Sequence, residues 1–353
     1  MRIIKADYES INEPSIPKKI ERIARICYKS EDAIKEGSAE KMIRSLMKNN
    51  HTAMLEHGSI IMKVDSYTAD WLMHVCNTIM PTMDCDNIEA TINDLEVNSR
   101  HYLRFTERYD PDEVKEPVYI VSGNMRAWQD TLMTFVTMEV FPFEVNDAIK
   151  QETDGVFGIE VERDEYVTLV DHIEGEKPAL YAVVLKPEDL NYEEQMIHVD
   201  ETVVFTCDRG ITHELVRMRA CSFAQESTRY CNYSHGKLGE EITVIDPYFW
   251  DHDSIPYKIW KNSCEQAESA YMELTQDAGI PAQLARDVLP TSVKAEIAMT
   301  TNLAEWRHIF ELRACDSTGP AHPQMHEIMV PYFKAMRDKY PFAFGDLKSF
   351  DET

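Results

Sequence analysis

Apolar residues recur every three or four positions in two segments near the start of the chain, residues 16–28 and 38–50. This spacing puts them on one face of a helix, so it predicts two amphipathic helices. Residues 51–58 are predicted to form a loop. Alternating apolar and polar positions then predict a half-buried strand at residues 59–64.

The next part of the chain, residues 65–200, mixes both patterns. Helix-like spacing alternates with short runs of β-branched and aromatic residues and with acidic connectors, and no internal repeat is present. The helix-like segments are residues 68–80 and 124–141, and the strand-like segments are residues 117–123, 166–170 and 179–185. We interpret this part as an elaboration whose fold the pattern does not decide, with its acidic run 152–200 as solvated surface.

From residue 201 the pattern becomes regular. It predicts, in order, a strand at 201–207, a turn at 208–210, a helix at 211–219, a polar segment at 221–234, and helices at 263–279 and 281–290, after which residues 293–301 lead to Asn302. Asn302, followed three residues later by Glu305, predicts the capped start of a further helix. Loose alternation of helices and strands favours the α+β fold class, with a central, mostly antiparallel sheet flanked by helices.

The charge balance excludes one class of partner. With 36 Lys and Arg against 62 Asp and Glu, the net charge is −26, which repels polyphosphate backbones and disfavours general nucleic-acid binding. Any anionic ligand must therefore find a local group of cations.

The cysteines and the apolar segments indicate the cellular compartment. The 8 cysteines are scattered without a CxxC pair, which favours neither a disulfide scaffold nor a zinc knuckle. No run is apolar enough for a signal peptide or for the ~20 residues that cross a bilayer. We expect a cytoplasmic protein.

Cations gather in residues 217–230, which hold Arg217, Arg219 and Arg229 together with Ser222 and Ser227. Guanidinium groups with neighbouring hydroxyls can satisfy the oxygens of a phosphate. The alternative is a solvated helix end that forms ion pairs with the many carboxylates, and composition alone does not separate the two.

Arg313 is a second candidate. It continues the apolar stripe of Leu303, Trp306 and Phe310 on one helix face. A buried cation needs a carboxylate or a ligand opposite it, because an unpaired buried charge costs several kcal/mol. The alternative is that its side chain extends from the helix end into solvent. For Arg286, an exposed helix face is the default.

Two other kinds of site are disfavoured. His322 and His326 have a spacing found in metal sites, and His51 and His57 flank Glu56, but no third ligand follows at a suggestive distance. Neither Ser222 nor Ser227 lies in a G-x-S-x-G elbow, which disfavours a serine hydrolase. We therefore predict no metal.

The motif R-M-R-x-x-S-x-x-x-x-S-x-R-Y, which begins at Arg217, resembles the signature of flavin-dependent thymidylate synthases, in which R-H-R is followed by serine, serine and arginine at the same spacings. Three further segments resemble the family in the same order: His51 to His57 as H-x-x-x-x-E-H, residues 285–290 as A-R-x-V-L-P, and residues 302–313 as a helix that begins with asparagine and ends with L-R.

This resemblance implies an enzyme that methylates dUMP to dTMP, with FAD as cofactor, methylenetetrahydrofolate as one-carbon donor and NADPH as reductant. It implies a homotetramer in which different subunits build each active site. The residues implied for dUMP are Glu214, Arg217, Gln225, Ser227, Arg229, Arg286 and Arg313. Those implied for FAD are His51, Glu56, Arg217, Met218, Arg219, Gln225, Asn302 and His308.

Within that set, Arg313 and Ser227 are the residues implied at the reacting base. Arg313 would stabilise negative charge on the activated pyrimidine, and Ser227 would position the base without covalent attack. Reduced flavin and folate supply the reacting groups, while protein groups orient and polarise.

Two features depart from the family. Met218 stands where the motif has histidine, and residues 65–200 form an insertion between a first part of the catalytic domain, residues 1–64, and a second part, residues 201–353. Two alternatives stay open: a related flavin- and folate-dependent change to a pyrimidine nucleotide, such as hydroxymethylation, suggested by Met218, and a nucleotide- or flavin-binding protein without catalysis.

Overall fold

A computed structural model describes residues 1–79, 103–109, 117–171, 178–229, 231–234 and 241–352. Its helices are α1 Ile16–Tyr28, α2 Ser38–Lys48, α3 Ser66–Ile79, α4 Met125–Thr137, α5 Phe143–Glu152, α6 Tyr192–His198, α7 Arg209–Leu215, α8 Ile255–Met272, α9 Ala282–Ala285, α10 Leu303–Arg313, α11 Pro323–Lys339 and α12 Pro341–Phe344. Its strands are β1 Arg2–Ile4, β2 Asp7–Ser10, β3 Ser59–Asp65, β4 Arg104–Arg108, β5 Val118–Asn124, β6 Val140–Phe141, β7 Val167–Thr168, β8 Ala182–Val184, β9 Asp200–Asp208, β10 Ser222–Gln225, β11 Thr243–Ile245 and β12 Lys294–Asn302.

The sheet that carries the arginine-rich motif has the strand order β10-β12-β9-β2 and is antiparallel throughout. Its two long central strands pair along their whole length, from Lys294 opposite Asp208 to Asn302 opposite Asp200. Both run as nearly continuous buried residues, which is expected for strands covered on both faces.

A second antiparallel sheet, of order β4-β5-β3-β8, is built around β3. Alternate residues of β3 enter two different cores: Ile60, Met62 and Val64 pack with the N-terminal helices and with α4, while Ile61 packs with the central sheet. This sheet therefore lies between two apolar layers. Together with the first sheet, it confirms the predicted α+β class.

The C-terminal helices α10 and α11 cover the face of the central sheet that carries Phe205 and Met299. Trp306 and Phe310 of α10 stack at 5.4 Å between ring centroids, and both rings contact Tyr332 of α11. Asn302 accepts a hydrogen bond from the backbone N–H of Glu305 at 2.9 Å, so the predicted helix cap is confirmed. This cap and the aromatic contacts fix the direction of α10 and, with it, the position of Arg313.

The helix predicted for residues 211–219 is wrong at both ends. It begins at Arg209 and ends at Leu215, and the chain then turns through Ala220, whose φ is +51°. Part of the segment expected to be irregular forms β10, which pairs with β12. The pairing with a distant strand overrides the local helical pattern.

Residues 65–200 supply strands on both sides of β3 and the helices α3 to α6. The division of the chain at residues 64 and 200 stays a prediction. Three residues covered by predictions lie outside the described residues: Met80, the last residue of the helix-like segment 68–80, Tyr230 of the arginine-rich motif, and Cys85, one of the 8 cysteines. Within the described ranges, no helix combines the length and the apolar character needed to cross a membrane.

Candidate active site

The arginine-rich motif begins where α7 ends. Asp208 caps α7 by accepting a hydrogen bond from the backbone N–H of Ile211 at 2.7 Å, and burial raises the pKa of its carboxyl. Glu214 is half-buried near the end of the helix, while Arg217 and Arg219 are exposed in the turn that follows. Among the described residues, neither arginine has an ion-pair partner, so both remain available to an anionic ligand.

Arg313, at the last position of α10, faces the same helix end. Its Nη1 lies 3.9 Å from Glu214 Oε2, which is too long for a hydrogen bond. Its Nε atom is buried and finds no hydrogen-bond partner in the described part of the protein, and the side chain is 27% exposed. Leu303, Trp306 and Phe310 are fully buried, so the predicted position of Arg313 on an apolar stripe is confirmed.

The second half of the motif lies on β10 and the loop after it. Gln225 donates a side-chain hydrogen bond to the hydroxyl of Thr212 in α7 at 2.9 Å. Ser227 is half-buried, and its hydroxyl accepts from the backbone N–H of Arg229 at 3.3 Å. Arg229 itself is exposed. The structure thus joins Gln225 to the helix that carries Glu214.

A buried group of charges lies under this loop, and we call it the Glu226 cluster: Lys29, Glu226, Lys294 and Glu296. Lys294 Nζ lies 2.8 Å from Glu226 Oε2 and 2.5 Å from Glu296 Oε1. Lys29 Nζ lies 2.5 Å from Glu296 Oε2 and 3.5 Å from Glu226 Oε2. The Glu226 side chain is only 1% exposed, so its charge depends on these partners.

The pKa values in the Glu226 cluster reflect that dependence. Burial opposes the charged form of Lys29, but the carboxylates of Glu226 and Glu296 outweigh it and raise the pKa of Lys29. Burial likewise opposes the charged form of Glu296, and the two lysines lower its pKa all the same. Lys29 and Glu296 therefore both keep their charges at neutral pH. Sequence reasoning missed the cluster because its members are scattered along the chain.

Glu56 is held at the start of β10. Its Oε2 accepts from the hydroxyl of Ser222 at 2.9 Å, and its Oε1 accepts from Nη1 of Arg126 at 2.7 Å. Ser222 is the first serine of the motif, whereas Arg126 belongs to α4 and was not among the predicted site residues. No spacing signal links residues that are so far apart in the sequence.

The remaining predicted residues occupy different environments. His51 is exposed, with its Nδ1 atom 3.4 Å from the hydroxyl of Tyr28. Asn302 is buried, and its amide donates to the carbonyl of Ile197 at 3.1 Å while its carbonyl caps α10. His308 and Arg286 are exposed. The structure therefore does not bring Asn302 to a free surface.

Met218 is half-buried and packs against the core of the central sheet. Its thioether side chain is thus in an apolar environment between the two exposed arginines of the motif. This contact explains how an apolar residue is accommodated at that position.

The histidine pair at i and i+4 has structural partners. His322 caps α11 by accepting from the backbone N–H of Gln324 at 3.3 Å. His326 Nε2 lies 2.8 Å from Asp316 Oδ1, and its ring stacks on Phe350. The described ranges contain no group of three residues suited to a metal ion.

A cavity of about 290 Å³ borders Glu214, between Ile211, Phe249 and Trp260. It reaches the start of α7 at Asp208 and Gly210. A larger cavity of about 640 Å³ lies between α5 and β8 and borders none of the predicted residues. The smaller cavity thus borders the helix that precedes the motif, at the predicted dUMP residue Glu214.

Comparison with known proteins gives a family match over most of the chain. A family model described as thymidylate synthase complementing protein matches residues 11–75 and 173–342. The unmatched stretch between these two segments falls within the predicted insertion. It contains α4 and therefore Arg126.

Individual relatives are similar over shorter stretches. A flavin-dependent thymidylate synthase of Pyrococcus furiosus is 35% identical over 133 residues, which are 37% of this chain and 53% of that protein. One of Corynebacterium diphtheriae is 28% identical over 155 residues, 40% of this chain and 58% of that protein. The chain thus spans about half the length of the relatives it matches.

Among solved structures, the UMP/dUMP methylase PolB of Streptomyces cacaoi, bound with 5-Br dUMP, is 22% identical. The superposition covers 41% of this chain and 69% of that one, with a TM-score of 0.34. Similarity at this level carries no information about the site of this chain.

Proposed function

Because the chain belongs to the family of thymidylate synthase complementing proteins, we propose that it is a flavin-dependent thymidylate synthase. It would methylate dUMP to dTMP with methylenetetrahydrofolate, and FAD would carry hydride from NADPH. The observation that carries this proposal is the environment of Arg313: its Nε is buried beside Glu214 and has no hydrogen-bond partner among the residues that the structure describes. Such a guanidinium group can donate hydrogen bonds to the polar edge of a bound ligand.

The dUMP site would use both halves of the motif. Arg217, Arg229 and Arg286 are exposed cations in a protein of net charge −26, and they suit a phosphate. Gln225 and Ser227 would hold the base, and Glu214 would orient it. Arg313 would stabilise the negative charge that develops on the pyrimidine.

The residues present fit FAD in part. The exposed guanidinium groups of Arg217 and Arg219 suit its pyrophosphate, and Met218, His51 and His308 would pack beside it. Glu56 and Asn302 are engaged with protein groups, so they would shape the site from behind. FAD, when bound, would supply the hydride, and this chain's residues would orient the nucleotide and exclude water.

The assembly belongs to the same proposal. We expect a homotetramer in which the loop with Ser227 and Arg229 from one subunit closes over the Arg313 side of another. Val216, Leu284 and Val288 have exposed apolar side chains, which suit subunit contacts. The cytoplasmic location stays a prediction.

The test is to purify the full chain and to record flavin absorbance, dUMP binding and tritium release from [5-³H]dUMP, with and without methylenetetrahydrofolate. Folate-dependent tritium release with formation of dTMP is the expected result. A colourless protein that binds neither FAD nor dUMP would refute the proposal. Formation of a hydroxymethylated product would replace the proposed methylation by flavin- and folate-dependent hydroxymethylation of the nucleotide.

A further inference from the structure

The segment that the family model leaves unmatched reaches the residues proposed to form the flavin site. α4 begins at Met125, directly after β5, and the backbone N–H of Met125 donates to the carbonyl of Gly58 at 2.8 Å. Asn124 caps this helix by accepting from the N–H of Ala127 at 2.9 Å. The first turn of α4 is therefore fixed against the segment that carries Glu56.

Arg126 projects from this first turn to Glu56. Its Nη1 donates to Glu56 Oε1 at 2.7 Å, and its Nε lies 3.8 Å from Asp130 Oδ2 on the next turn. The Arg126 side chain is 33% exposed, whereas that of Glu56 is 8% exposed. Arg126 thus covers a buried carboxylate and extends from it toward solvent.

The other oxygen of Glu56 is held by Ser222, at 2.9 Å. Ser222 begins β10, whose far end carries Gln225 and leads into the loop of Ser227. Glu56 therefore connects the unmatched segment to the arginine-rich motif, with Arg126 on one carboxylate oxygen and Ser222 on the other.

We infer that Arg126 is a positioning residue of the flavin site, acting by orienting Glu56, so that the inserted segment forms part of this site. The inference rests on the proposed function. It assigns to this chain a site component that lies outside the part shared with the family model.

The test measures the affinity for FAD by fluorescence quenching in the full chain, beside the visible spectrum of the bound flavin, dUMP binding and thermal unfolding. Arg126→Gln should weaken FAD binding at least tenfold and alter the flavin spectrum. Arg126→Lys should bind FAD more tightly than Arg126→Gln, because lysine keeps the positive charge but lacks the planar guanidinium group. Arg163→Gln is the matched control, since Arg163 lies in the same insertion and pairs with the exposed Asp147 at 3.0 Å.

A double-mutant cycle separates action through Glu56 from direct contact with the cofactor. In a Glu56→Gln background, Arg126→Gln should cost little further FAD affinity. An equal loss in both backgrounds would overturn the role through Glu56. Unchanged FAD affinity and spectrum in Arg126→Gln would overturn the inference and leave the proposed function standing, whereas a wild-type chain that binds no FAD would refute both.

Discussion

Replacing Lys294 by methionine tests whether the Glu226 cluster supports the loop that carries Ser227. The substitution keeps the length of the side chain but removes the cation that bridges Glu226 and Glu296, at 2.8 and 2.5 Å. Lys29 remains, at 3.5 Å from Glu226. Among the described residues, Glu226 would then be a buried carboxylate paired with Lys29 alone.

The size of the effect follows from burial. Breaking a buried ion pair by removing one partner costs about 3–5 kcal/mol. Since Glu296 is 24% exposed and Lys29 still compensates part of the charge, we expect the lower end, about 3 kcal/mol. With about 2.1 cal/mol/K of unfolding entropy per residue over 353 residues, this corresponds to a fall in Tm of roughly 4 °C.

The assay is thermal unfolding together with calorimetric titration of dUMP. Binding of dUMP should weaken because Glu226 lies between Gln225 and Ser227. Lys334→Met is the matched control: Lys334 forms an exposed pair with Asp351, so its loss should cost below about 1 kcal/mol. An unchanged Tm and unchanged dUMP affinity in Lys294→Met would refute the reasoning.

Three further substitutions test other parts of the site. Arg313→Ala should lower turnover in the tritium-release assay by at least about a hundredfold with Tm retained, because its buried Nε forms no hydrogen bond within the described part of the chain; near-normal turnover would remove Arg313 from the mechanism. Burial and then the nearby Asp246 carboxylate raise the pKa of Glu327 from 4.5 to about 7, so its ionisation costs stability as pH rises through that window. Glu327→Gln should therefore raise Tm at pH 8 and leave it unchanged at pH 4.5, and an equal gain at both would contradict this account. Met218→His should keep FAD binding and keep or raise activity; loss of FAD in its spectrum would indicate a pocket built around the packed methionine.

Local signals in the sequence predicted the elements that local forces determine. The cap at Asn302 and Glu305 involves residues three positions apart, so the sequence contains all the information that it needs. The stripe that ends at Arg313 depends on helical periodicity alone. Both predictions were confirmed.

The errors and omissions concern contacts between distant segments. The helix predicted to Arg219 stops at Leu215 because β10 pairs with β12, which lies far along the chain. The link between Arg126 and Glu56, and the Glu226 cluster, likewise join residues that no spacing rule relates. Periodicity reports which face of an element is apolar, but it does not report which polar groups meet once the elements pack.

The placement of β3 between β5 and β8 also constrains how the chain can be shortened. Joining residue 75 to residue 173, to imitate a compact relative, would strip one edge of β3 along Ser59–Asp65 of its hydrogen-bonding neighbour. It would also remove Trp128, Phe135 and Phe141 from the core that covers that strand. An exposed apolar strand edge has unpaired backbone groups that can form hydrogen bonds with other molecules. The shortened chain should therefore aggregate and precipitate. A segment that supplies a neighbouring strand to a sheet is hard to remove by simple deletion, so an insertion of this kind should persist once it has been acquired.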